Sequence, residues 1–259
     1  MTARLQQRQS STGEWSFRLA SFAAILLLAS GAGHRFGLLE TVPFCWLLGL
    51  AGVIGGLGLA GGFLALVQVW EHGVTGAGRA TAGIFVALCV LAPYGVSLAR
   101  LIEHPRLIDI STDVSDPPAL DAAAAKRSGA MNRIAAIAPE AAALQKEHYP
   151  EVTGRRYEHT VESVLETVRA MMTERNWQPR QSVSPALAGG ETTIEGEARS
   201  FFLGFPADVA VRIADDGAAT YVDMRSASRY ALHDLGDNAL RINRFLDALD
   251  QRLSGESGV

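Results

Sequence analysis

Seven charged residues in the C-terminal half fall at alternating positions within β-prone runs: Glu195, Glu197 and Arg199; Asp208 and Arg212; Asp223 and Arg225. Successive side chains of a strand point to opposite faces, so each set shares one face of its strand. If these strands are neighbours, acids and arginines interleave across a single sheet surface. Such a surface is either solvated, with ion pairs worth roughly a few tenths of a kcal/mol each, or a polar binding surface closed by other parts of the chain. Arg225 stands out because it ends one run and opens the segment to Arg229. Its planar fork suits it to hold Asp208 or Asp223 with two hydrogen bonds, or to receive an anionic ligand. Asp234, Asn238 and Arg241 form a second polar group at the start of a C-terminal helix. Helix N-termini attract anions, but Asp234 and Asp237 already offer acceptors to the free backbone amides, which points to capping.

Sharper chemistries find little support. Ser226, Ser228, His233 and Asp234 are close in sequence, yet no nucleophile elbow surrounds either serine. The six histidines lack HxxxH spacing, so no zinc site is expected. Asp109, Ser111 and Asp113 open like a calcium loop, but Val114 and Leu120 stand where it needs Gly and Glu; turn formation accounts for them better. Gly56-Leu-Gly58-Leu-Ala-Gly61 matches the dinucleotide fingerprint formally, inside an apolar run without the required strand and acid. Cys45 and Cys89 both lie in apolar runs, which excludes disulfides, thiolate metal sites and a cysteine nucleophile from the rest of the chain. No catalytic residue, metal or cofactor is assigned.

The elements that must position the charged sets follow from periodicity. Thr192–Ser200, Asp208–Ile213 and Thr220–Arg225 alternate as strands, with Asp215-Asp216-Gly217 as a hairpin turn. Trp177–Ser182 reads as a short edge strand containing Pro179. Val161, Val164, Leu165, Val168 and Met171/Met172 mark one helix face with Thr160 as N-cap; Ile242, Phe245, Leu246, Leu249 and Leu253 mark another. The order β-α-β-β-β-β-α over residues 155–259 predicts an α+β domain: an antiparallel sheet with helices on one face. Residues 101–154, punctuated by Pro105, Pro117, Pro118 and Pro139, read as a connector with a short helix near Ala122–Ala125.

Residues 1–100 differ in kind. Thr41–Trp70 carries no charged side chain over thirty residues, and Ala80–Ala99 none over twenty; about 20 apolar residues span a bilayer. Leu19–Gly33 is shorter, and reaches span length if Arg18 snorkels and Trp15 and Phe17 sit in the interface. The expectation is an α-helical transmembrane anchor of three spans, at about 15–34, 44–70 and 80–100, whose partner is the lipid bilayer. Gly52/Gly56 and Gly58/Gly62 have small-xxx-small spacing, suited to packing within the anchor or to a homo-oligomer. Arg4, Arg8 and Arg18 precede the first span, against Arg35 and Arg79 in the loops. The positive-inside rule therefore puts the N-terminus in the cytoplasm and the C-terminal domain beyond it, as in a bacterial inner membrane with a periplasmic domain. With six bases and three acids in residues 1–100, the remainder is net −7 of the chain's −4, which argues against nucleic acid as a partner.

Four ordered motifs carry a family resemblance: Asp109-Ile-Ser-Thr-Asp113 with Pro117-Pro118-Ala and Tyr149-Pro150; Gly204-Phe-Pro-Ala-Asp208-Val-Ala-Val-Arg212-Ile; Asp223-Met-Arg225-Ser-Ala-Ser228-Arg229; and Asp234-Leu-Gly236-Asp-Asn238-Ala-Leu-Arg241-Ile. Over roughly 101–250 the chain resembles the domain of unknown function 1499 family, some members of which share the multi-span anchor. The resemblance implies no reaction. Ala207 departs from a second acid that family members usually carry beside the Asp208 position, and Tyr230–His233 from a glycine-containing turn. The expected function is that of a membrane-tethered module outside the cytoplasm, binding an envelope protein, a lipid headgroup or a small polar ligand. The alternative is an enzyme using the Asp/Arg cluster on a polar or anionic substrate.

Overall fold

A computed structural model describes residues 11–179, 191–200 and 203–256. The chain divides into two compact units, residues 1–99 and 100–259. Arg4 and Arg8, on which the orientation rests in part, lie outside the described residues.

The first unit is built on three helices long and apolar enough to cross a membrane: α1 (Ser11–Arg35), α2 (Thr41–His72) and α3 (Ala77–Glu103). α1 and α3 exceed their apolar runs by a turn or more and α2 by two residues, because backbone bonding continues into the polar flanks. Gly73 ends α2 in the left-handed region, its N–H bonding to the Val69 carbonyl. Close packing comes from small residues. Ser16 Oγ donates to the Gly58 carbonyl at 2.7 Å, and a Cβ on Gly58 would meet Ala20 backbone at 3.1 Å. A Cβ on Gly62 would reach Ile84 and Ser16, and one on Gly52 the Tyr94 ring. Gly56 meets nothing within 4 Å. Three of the four glycines singled out by spacing thus serve packing within the chain. Trp46, Phe22, Leu28, Val53 and Phe85 point outward, where lipid would solvate them.

In the second unit, β3 (Glu191–Arg199), β4 (Pro206–Asp215) and β5 (Thr220–Ser228) form an antiparallel meander, with β1 (Asp109–Ser111) and β2 (Arg155–Tyr157) paired antiparallel to opposite ends of β5. Register sets Arg212 across from Asp223, Ala210 between Glu195 and Arg225, and Asp208 between Glu197 and Ala227. The alternate residues Ile194, Val209, Val211, Ile213, Val222 and Met224 face α6 (Val161–Glu174) and α7 (Asp237–Glu256) in one core. Burying each large side chain there contributes about 1.5–3 kcal/mol. Thr160 Oγ1 caps α6 by accepting from Ser163 N–H. The Asp215–Gly217 turn closes β4 onto β5, with Gly217 at φ 76° and its N–H on Asp215 Oδ1.

The strand read over 177–182 does not form at 177–179, and residues 180–182 lie outside the described set. Asn176 and Gln178 adopt positive φ, which interrupts extended backbone. A single bond survives, from Glu197 N–H to the Trp177 carbonyl at 2.8 Å, while Trp177 stacks on Phe245. That carbonyl passes so near Gly196 that a Cβ there would stand 2.7 Å from it.

Residues 101–154, read as a connector, take part in the second unit. They supply β1, the short helix α4 (Asp121–Ala124) and α5 (Pro139–His148). Gln145 of α5 occupies the free edge of β1 as a strand would: its Oε1 accepts from Ser111 N–H and its Nε2 donates to the Ser111 carbonyl.

Gly58→Val should lower the thermal unfolding temperature of the full chain in detergent, since overpacking costs about 1–3 kcal/mol, while Gly56→Val leaves it unchanged. The reverse ranking would mean that Gly56 packs against a second copy.

Candidate functional site

The polar face of the sheet is neither solvated nor open. Asp208 and Asp223 are each 2% exposed, and Glu195, Arg212 and Arg225 are also buried. The reason is the stretch 112–138, which lies over them as a cover. Leu120, Ala123 and Ile134 pack there onto Ala210 and Ala227, the two alanines between the charged rows.

Each charge finds its counterpart. Asp208 Oδ2 accepts Nε and Nη2 of Arg127 at 3.0 and 2.8 Å, and Oδ1 accepts Nη2 of Arg229 at 2.6 Å. Arg229 also reaches Glu197 at 2.8 Å, so two guanidinia face two carboxylates. Burial pulls the Arg229 guanidinium toward deprotonation, but the bonds to Asp208 and Glu197 outweigh it and hold the group above its usual range. Arg212 sits between Asp223 at 2.9 Å and Asp116 at 2.7 Å, and is likewise raised against its burial. Thr112 Oγ1 donates to the other oxygen of Asp223 at 2.6 Å. Glu195 meets no arginine among the described residues; the backbone N–H groups of Ala122 and Ala123, at the start of α4, donate to its two oxygens at 2.9 Å each.

Arg225 is buried in a structural pair, but with a different partner from the two expected. Register places Asp109 of β1 beside its strand, and Nε and Nη2 hold the two Asp109 oxygens at 2.9 and 2.7 Å. Its remaining donors satisfy the carbonyls of Pro118 and Ala135. Asp208 and Asp223 are already engaged by Arg127, Arg229 and Arg212. Sequence reasoning missed Arg127 altogether: it lies in a stretch without periodicity, 81 residues from Asp208.

Asp234, Asn238 and Arg241 belong to the opposite face, where α7 begins. Asp234 caps the helix, accepting from Gly236 and Asn238 N–H. Burial raises its pKa, and the two backbone bonds only partly offset that. Asn238 Oδ1 accepts from Ser226 Oγ and Arg241 Nη1, and its Nδ2 donates to the Ile108 carbonyl and Ser228 Oγ. Arg241 also pairs with Asp237 at 2.8 Å. The serines are thus tied into this network, while the His233 ring is bound by the His104 carbonyl and Leu235 N–H; no triad assembles. Tyr149 packs beside His104, and burial, with Asp234 and Glu151 nearby, pushes its hydroxyl up to about 12. Asp113 forms a turn by accepting from the N–H groups of Ser115 and Asp116, and no cluster suited to a metal occurs among the described residues.

Free cationic chemistry lies beside the cover. Arg106 and Arg133 are exposed and line one cleft of ≈ 210 Å³ with Ile108, Asp109 and Ala135–Ala138. Among the described residues neither guanidinium meets a carboxylate, and the Asp109 carboxylate is already taken by Arg225. Arg133 also lines an adjoining cleft of ≈ 330 Å³ with Arg127, Ser128 and Met131.

Arg225→Ala, which leaves Asp109 unpaired and two carbonyls bare, should cost roughly 3–5 kcal/mol. Arg225→Lys should recover only part of this, because an ammonium cannot span both carboxylate oxygens. Arg133→Ala should stay within about 0.5 kcal/mol of the parent. Urea unfolding of the full chain in detergent reads all three; an unchanged midpoint for Arg225→Ala would contradict the burial described here.

No curated protein and no solved structure matches the chain. A family model described as protein of unknown function (DUF1499) matches residues 109–249, more than half of the chain. The match begins on the first residue of β1 and so takes in the cover together with the sheet and most of α7. The cover, the paired polar face and the capped start of the terminal helix are inside the matched region, and by that match the chain belongs to the DUF1499 family of proteins of unknown function.

Proposed function

We propose that this protein is a membrane-tethered binding module whose folded domain lies outside the cytoplasm and receives a small anionic group in the cleft between Arg106 and Arg133. The observation that carries this reading is a contrast. The guanidinia at the sheet face, Arg127, Arg212, Arg225 and Arg229, each hold a carboxylate, whereas Arg106 and Arg133 border a cleft and meet no carboxylate among the described residues. Two such forks suit a phosphate or carboxylate group, which accepts paired N–H bonds. The same pairing argues against an Asp/Arg catalytic cluster. A general base needs a lone pair within reach of substrate, and the carboxylates of this face spend theirs on arginine or backbone partners beneath the cover. Three apolar helices supply the tether, and three arginines before the first span (Arg4, Arg8, Arg18) against Arg35 alone in the loop after it support an inner membrane with the domain on the periplasmic side.

Binding of glycerol phosphate to the detergent-solubilised chain tests the cleft. Calorimetry should show a single site, with Arg106→Ala and Arg133→Ala each raising Kd about tenfold, or ~1.4 kcal/mol. Affinity unchanged in the double variant would remove the cleft from consideration.

Orientation is tested separately by Ser254→Cys in a Cys45→Ala/Cys89→Ala background. A membrane-impermeant maleimide should label it in intact spheroplasts. Labelling that appears only after lysis would reverse the topology.

A further inference from the structure

One end of the second unit combines exposed aliphatic side chains with unpaired arginines. Residues 104–108 directly follow α3, the helix that carries the third apolar segment. The loop 229–236 is tied to them: His233 Nε2 contacts the His104 carbonyl at 3.1 Å, Asp234 N–H donates to the Leu107 carbonyl at 3.0 Å, and Ser228 N–H to the Ile108 carbonyl at 2.8 Å. Gly236, at φ 76°, lies so near the His104 ring that a Cβ would stand 2.8 Å away. The loop therefore cannot stray far from the residues that leave the apolar helix.

Held in this way, the loop presents Leu232 to solvent at 65% exposure. Ala231 beside it takes φ 72°, a conformation that a non-glycine residue adopts only when its surroundings impose it. Leu240 is exposed in the first turn of α7, and Leu101 and Ile102 are exposed on the last turn of α3. Asn132 joins the cationic residues to the same end, its N–H on the Arg229 carbonyl and its Nδ2 on the Ala231 carbonyl. Arg133 follows it, and Arg106 shares the cleft with Arg133.

Aliphatic residues beside uncommitted arginines match the chemistry of a bilayer interface, where leucine enters the acyl boundary and guanidinia meet phosphates. The net negative charge of residues 101–259 does not oppose this, because charges are screened beyond about 8 Å at physiological ionic strength, and the local patch decides. We infer that this end of the domain rests on the surface of an anionic bilayer, with Leu232 in the headgroup–acyl boundary and Arg106 and Arg133 on lipid phosphates. This rests on the reading of the Arg106/Arg133 cleft as an anion site, and names the bilayer as the source of the anion.

The test uses the full chain in nanodiscs, in the Cys45→Ala/Cys89→Ala background, with Leu232→Cys carrying an NBD label. In discs of phosphatidylcholine with a quarter phosphatidylglycerol, emission should be blue-shifted and quenched by lipids spin-labelled near the top of the acyl chain. A label at Lys146→Cys, an exposed position on α5, should stay aqueous and unquenched. Arg106→Gln/Arg133→Gln should reduce quenching at position 232 to the level seen in pure phosphatidylcholine. Leu240→Cys gives a second probe of the same end, should the loop not tolerate the first. Aqueous, unquenched emission at both positions overturns the inference, and so does a blue shift without lipid quenching, which would mean a protein occupant. Glycerol phosphate binding in detergent with no lipid quenching would overturn this inference alone and leave the cleft as a site for a free anion.

Discussion

A carboxylate leaves water at high cost unless counter-charges or hydrogen-bond donors meet it, and much of the polar face of the second unit meets that demand at Asp208. Both of its oxygens are occupied, one by a guanidinium from the loop after α4 and the other by one from the end of β5. Neither arginine could be displaced without stranding a charge in a region of low polarisability. Asp223 with Arg212, and Asp109 with Arg225, repeat the requirement one row along and one strand across. Pairs of this kind add little net stability compared with apolar residues of similar shape. The stretch 112–138 meets all three sets together with Glu195, through Thr112, Asp116, the Ala122 and Ala123 amides, Arg127 and the Pro118 and Ala135 carbonyls. The stability itself comes from the other side, where α6 and α7 bury the main apolar surface of the sheet.

The two faces thus obey different physics. On the helix side, side chains interchange within limits of volume and the core tolerates adjustment. On the cover side each polar atom has a designated partner, and the small apolar group of Leu120, Ala123, Ala210 and Ala227 excludes water from between the pairs. The Gln145 amide, paired with both backbone groups of Ser111, extends that accounting to the sheet edge. A three-residue strand is protected there by one side chain where a longer one would need another strand.

Much of this was legible in the sequence because it is local. The pleat determines which residues share a face, so Asp208, Arg212, Asp223 and Arg225 could be grouped by parity alone, and Asp215-Asp216-Gly217 closes its hairpin through φ at one glycine. The apolar stripes of α6 and α7 and the uncharged runs of the three long helices follow equally from short-range periodicity. Whether the grouped face would be wet or dry was not local. Arg127 and Asp109 reach their partners across 81 and 116 residues, and nothing periodic in 112–138 marks that stretch as a cover. The Trp177–Pro179 segment failed as a strand for a related reason: left-handed Asn176 and Gln178 leave Trp177 to stack on Phe245, a demand of the core that outweighs β propensity. One signal did survive in the sequence, the family-like motif beginning at Asp109, which ties the presumed connector to the domain ahead of any contact.

The wide separations also say something about the order of events during folding. The cover is synthesised well before the strands it covers, and during that interval Arg127 and Asp109 have no partners to bind. Local structure comes first: the β4–β5 hairpin closes over a few residues, and α6 and α7 can dock on it at once, whereas joining residue 109 to residue 225 means closing a loop of 116 residues. Closing so long a loop is slow and entropically costly. Until the last strand has emerged, the charges of the leading segment have no partners in the sheet and must remain hydrated. Its alanine-rich, weakly hydrophobic composition, unsuited to forming a competing core, meets that condition.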